Sequence, residues 1–142
     1  MQIQRIQTLY ILIAAILMAV FAFVPMGYFS VADQSAETVA SISALDEWGV
    51  IIPVGLSVVM LVIDMFLYSN LSLQRTVLKF CMMFTILTVA VVCFTIFKGL
   101  EGYEPRLSWW CVAVVIALVF EMLALKGINH DDRLLRSADR LR

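Results

Sequence analysis

Histidine occurs once in these 142 residues, as His130, and no other metal-binding side chains cluster with it. A transition-metal site therefore has no visible ligand set. The three cysteines, Cys81, Cys93 and Cys111, are odd in number, stand inside apolar runs and form no C-x-x-C pair. That excludes a disulfide framework and a dithiol redox centre, and it leaves the thiols as small packing residues. A glycine-rich phosphate loop and a G-x-S-x-G elbow are both missing, so no cofactor is implied and catalysis has no visible carrier. The expectation is a protein that is not an enzyme.

Charge is also scarce, at 15% of residues against 63% hydrophobic. A chain so apolar at this length needs the bilayer as solvent for most of its surface. With ten Lys and Arg against eleven Asp and Glu, no nucleic-acid partner is expected. The partners to expect are membrane lipid and a second membrane protein or further copies of this chain.

Four long apolar runs are present, at about 8–24, 49–68, 77–97 and 107–126. Each is long enough to cross a hydrocarbon core of about 30 Å at 1.5 Å per residue. Pro25 and Gly27 end the first, and Gly127 is a plausible stop for the last. Short connections make consecutive helices antiparallel neighbours. The expected fold is an all-α membrane protein, with a four-helix up-down bundle over 1–126 and an amphipathic basic tail over 127–142. Residues 26–48 form the one long loop. Within it, Tyr28–Val31 and Thr38–Ile42 could pair as a hairpin, or Ala36–Leu45 could form a short helix.

Orientation follows from the basic residues. One side carries Arg5, Arg75, Lys79, Lys126, Arg133, Arg136, Arg140 and Arg142, while the other carries Lys98 and Arg106. Both termini are expected to be cytoplasmic, in a bacterial inner membrane. Trp48, Trp109 and Trp110 then fall at the outer interface, where amphipathic rings are at home.

Two acids lie inside spans. Asp64 and Glu121 are functional candidates because an ionised group at a helix centre costs about 2.5–3.5 kcal/mol on insertion scales. Each is expected about a turn before a cytoplasmic helix end, both at similar depth and away from the midplane. Such a pair could pass protons or cations along a path, or it could serve structure by pairing with Lys79, Arg5 or Arg75. Pro53 and Gly55 interrupt the second span, where a simple kink is the ordinary outcome. Ala15, Ala19 and Ala22 share one face of the first span and suit close packing.

The tail has its own pattern. Asn129 can cap a helix with Asp131 and Asp132 in its first turn. Leu134, Leu135, Ala138 and Leu141 recur at helical spacing, beside Arg133, Arg136, Arg140 and the final Arg142. Such a face suits anionic lipid or a protein groove.

The opening MQIQRIQTLYILIAAIL and the closing DDRLLRSADRLR resemble the domain of unknown function 4293 family, whose members begin M-I-Q-R-I-Q-T and close on D-x-L-x-R-S-x-D-R-L-R. Gln2 is an extra residue ahead of the first motif, and the loop after Tyr68 is less basic than the family pattern. The resemblance implies a four-helix inner-membrane protein of Gram-negative bacteria with no established activity. It draws attention to Gln4, Arg5 and Gln7 beside the tail arginines at the cytoplasmic face. The functional expectation is a non-enzymatic accessory subunit of a larger membrane assembly, docked through its helices and tail. The alternative is a small proton-coupled transporter or channel using Asp64 and Glu121.

Overall fold

Leucine, isoleucine and valine dominate four stretches that form helices, and short polar or β-prone segments between them do the rest. The computed structural model describes residues 2–31, 38–67, 69–99 and 103–139. The order is α1 (Gln2–Phe23), β1 (Pro25–Val31), β2 (Thr38–Ser43), a 3₁₀ turn (Ala44–Asp46), α2 (Trp48–Phe66), α3 (Leu71–Lys98), β3 (Tyr103–Leu107) and α4 (Cys111–Asp139). All four helices are long and apolar enough to cross a membrane. α1 and α3 each pack between α2 and α4.

Each helix buries a seam that advances by three and four residues, the spacing of knobs packed into holes. On α2 the seam is Val50, Pro53, Val54, Ser57, Leu61 and Asp64. On α3 it is Gln74, Leu78, Cys81, Thr85, Thr88, Val92 and Ile96. α4 buries Val114, Ala117, Glu121, Ala124 and Ile128, and α1 buries Ile11, Ala14, Ala15, Met18, Phe21 and Ala22. The outward faces carry Leu9, Ile16, Val59, Ile86, Val115 and Met122, all exposed. Such a surface suits lipid, since so many exposed apolar side chains on all four helices would be costly to leave in water.

Within the described part of the long loop, Pro25–Val31 and Thr38–Ser43 are strands, which adds a small sheet to the expected four helices. β1 pairs with β2 and with β3, both antiparallel, in the order β2-β1-β3. Phe29 faces Ala40 on one side and Pro105 on the other. The hairpin expectation over Tyr28–Val31 and Thr38–Ile42 is met, and a helix over Ala36–Leu45 is ruled out, since Thr38–Ser43 is a strand. Its sequence, TVASIS, is rich in β-branched residues, which settle on a pleated surface. The third strand was unexpected, because YEPRL lacks that signature. Pro105 is tolerated there because β3 is an edge. Gly27 brings the sheet against α3, where Ile96 lies within van der Waals reach of it. The Ser43 backbone N–H and hydroxyl both donate to Asp46 and hold its carboxyl below the usual carboxylate range.

Helix limits also move. α3 starts at Leu71, earlier than the expected 77, because the Asn70 side chain accepts from the Leu73 N–H and caps it. It ends at Gly99, whose φ of 58° suits glycine. α4 does not stop at Gly127: it runs unbroken to Asp139. Asn129 is mid-helix and caps nothing, so the described part of the tail is the continuation of a membrane-length helix. Gly127 has a packing role instead. A Cβ there would come within 2.9 Å of Gln7 Cγ, so the missing side chain is what admits Gln7 against α4.

Candidate functional site

Most of the buried seam is apolar, yet three helices turn polar groups into it. Asp64 on α2 and Glu121 on α4 are both 0% exposed, as are Ser57 on α2 and Thr85 on α3. The Thr85 hydroxyl lies 2.9 Å from Glu121 Oε1 and donates to it. The same oxygen is 3.2 Å from the Ser57 hydroxyl and 3.1 Å from the Cys81 carbonyl. A threonine has one proton to give. Donation to Glu121 and to the Cys81 carbonyl are therefore alternatives, and Ser57 is placed to donate into Thr85. Rotation of two hydroxyls changes what Glu121 receives.

The remaining carboxyl oxygens lack partners. Among the described residues, Glu121 Oε2 and both oxygens of Asp64 make no hydrogen bond. Buried side-chain oxygens are nearly always paired, so three unpaired ones in so small a volume ask for an explanation. Cys81 lies on α3 one turn from Thr85, within electrostatic range of both acids. Along α3, Cys81 lies one turn from Thr85 toward the end at which α2 carries Asp64.

This arrangement corrects two expectations. Glu121 was placed near a helix end, but α4 continues 18 residues beyond it to Asp139. From Cys111 to Glu121 is ten residues, about 15 Å, which is about half of a 30 Å hydrocarbon core. Asp64 does stand near an end, two residues before Phe66. The two are therefore at different depths: Glu121 meets Thr85, which meets Ser57, and Ser57 precedes Asp64 by seven residues, about 10 Å of helix rise.

Among the described residues, neither Lys79 nor Arg75 pairs with either acid. Arg75 is taken by Asp132, at 2.6 Å, and Asp132 also holds Arg136 at 3.2 Å. Lys79 is exposed, and the side chain of Arg5 lies outside the described residues, as does that of Gln4. Gln7 is buried and donates to Asp131 at 2.5 Å, which ties the start of α1 to the last turns of α4. Of the expected docking residues, Arg133, Leu134, Leu135 and Arg136 are exposed on the projecting end of α4. Arg140, Leu141 and Arg142 lie outside the described residues.

Ser57, Thr85 and Cys81 were not picked out from the sequence. Their signal was register: Ser57 stands seven residues from both Val50 and Asp64, and Thr85 falls on the α3 seam between Cys81 and Thr88. A polar residue in phase with an apolar seam faces protein, whereas one out of phase faces lipid or water.

Neither a curated protein nor a solved structure matches the chain significantly. A family model does match, over residues 3–141 and so nearly the whole chain. The agreement takes in the N-terminal Q-R-I-Q-T motif, the C-terminal arginines and the four apolar helices between them. The chain belongs to the domain of unknown function (DUF4293) family.

Proposed function

We propose that the protein moves protons across a bacterial inner membrane, alone or coupled to a solute, through Glu121 and Asp64. The observation that carries this reading is the pair of fully buried carboxyl groups with three unpartnered oxygens. Charge inside a span costs about 2.5–3.5 kcal/mol, and among the described residues no cation pairs with either acid. A stepped series of Ser57, Thr85, Glu121, Cys81 and Asp64 across three helices has the order of a proton relay: hydroxyls donate and turn, and carboxyls accept and release. The four helices would form an up-down bundle with both termini cytoplasmic. Supporting that orientation, among the described residues Arg5, Arg75, Lys79, Lys126, Arg133 and Arg136 stand toward the helix ends away from the sheet, and Lys98 and Arg106 toward the sheet. Trp48 and Trp109, 80% and 90% exposed beside the sheet, suit the outer interface. The test is proton movement in vesicles reconstituted with the full chain. Asp64→Asn and Glu121→Gln each bring the flux to that of empty vesicles, and an undiminished flux in both variants contradicts the reading.

One observation favours the second reading, a non-enzymatic accessory subunit of a membrane assembly. α4 projects as a rigid helix whose inner side is tied by Asp131 and Asp132, leaving Leu134 and Leu135 49% and 57% exposed beside Arg133. Exposed leucines flanked by arginines suit a groove with acidic edges. Co-purification from native membranes decides it. Changing Arg133, Arg136 and Arg140 to Glu releases a stoichiometric partner while the bundle stays folded, and a partner retained in full excludes docking by this end.

A further inference from the structure

Between α3 and α4, at the end away from the sheet, runs a groove of about 660 Å³ lined by Met82, Met122, Lys126, His130 and Arg133. A second hollow of about 330 Å³ adjoins it, sharing Met82 and bringing in Lys79, Met83 and Ile86. Lys126, His130 and Arg133 are four and then three residues apart, so they share one face of α4. Lys79 comes from α3 on the other side.

Among the described residues, no acidic side chain lines either hollow. The neighbouring carboxylates are turned away, Asp131 to Gln7 and Asp132 to Arg75 and Arg136. Among the described residues, Lys79, Lys126 and Arg133 form no ion pair. The apolar part of the groove leads onto open membrane-facing surface, with Met83, Ile86 and Met122 all more than half exposed. Cations at one end and an open methionine-rich track at the other match a ligand with an anionic head and a hydrocarbon tail.

We propose that this groove is a binding site for an anionic phospholipid. Its phosphate meets Lys126 and Arg133 from α4 and Lys79 from α3, and an acyl chain lies along Met82, Met83 and Ile86. The inference is independent of the proton reading, because it uses neither buried acid.

Native mass spectrometry of the full chain tests it, with phosphatidylglycerol and phosphatidylethanolamine of the same acyl chains added to the purified protein. The protein retains the anionic lipid in preference to the zwitterionic one. The double variant Lys126→Gln with Arg133→Gln weakens that retention by about fivefold per cation removed, while Arg106→Gln on β3 leaves it unchanged. Met82→Trp, which keeps every cation and fills the groove, also lowers retention, with an unchanged melting temperature showing that the bundle stands. Equal retention of the two lipids, or retention indifferent to both the charge and the groove variants, overturns the proposal. So does inorganic phosphate that displaces the lipid at equal concentration, or a dimer that occupies the groove and dissociates in the double variant.

Discussion

Thr85 is the residue on which the buried site turns. Among the described residues its hydroxyl is the one group that hydrogen-bonds to the Glu121 side chain, at 2.9 Å, and it touches Ser57 as well. Valine has the same shape without the hydroxyl, so Thr85→Val keeps the packing and strips Glu121 of its remaining partner. Hydrogen bonds between membrane helices contribute about 0.6 to 2 kcal/mol, and leaving a buried acceptor unpaired costs about 1–3 kcal/mol. Thr85→Val should therefore destabilise the bundle by about 1–2 kcal/mol, read as a lowered thermal midpoint in detergent. Thr85→Ser, which restores the hydroxyl, should recover most of that loss. Asp64 and Glu121 themselves were legible as candidates because an acid in an apolar run stands out. Their environment was not, since it depends on which seam of a neighbouring helix faces them.

At the scale of the element, α4 and its contact with α1 matter most. Gly127 was read as a stop because glycine after an apolar run often ends a helix. That rule fails here although Asn129, His130, Asp131 and Asp132 are weak helix formers, because the turn that follows has partners on two sides. Asp131 is held by Gln7 and Asp132 by Arg75. What the glycine provides is space, and Gly127→Ala measures it. Alanine would favour the helix by about 1 kcal/mol, but overpacking costs about 1–3 kcal/mol and the displaced Gln7 loses a hydrogen bond of about 1 kcal/mol. The net expectation is a loss of about 1–3 kcal/mol in thermal unfolding. Adding Gln7→Ala should relieve the overpacking part, so that the double variant is no less stable than Gln7→Ala alone. The four spans were visible from hydrophobic length alone, whereas the third strand was not. β3 is five residues with a proline and two charges, and it becomes a strand only because β1 offers it an open edge.

The whole molecule joins a sheet at one end, a charged cluster at the other and a polar step through the middle. The sheet gathers the end of α1, the approach to α2 and the start of α4, so three of the four helices are tied through one small element. At the far end Gln7, Arg75, Asp131, Asp132 and Arg136 join α1, α3 and α4. Between these clamps, Ser57, Thr85, Glu121, Cys81 and Asp64 are buried, and they are the groups of the proposed relay. The central claim is that the two acids carry protons, and flux of protons into reconstituted vesicles under an imposed pH gradient tests it most directly. The account predicts flux above that of empty vesicles for the unaltered chain and a return to the empty-vesicle level for Glu121→Gln and for Asp64→Asn. Flux equal to that of empty vesicles in the unaltered chain, or flux undiminished in both variants, would contradict it.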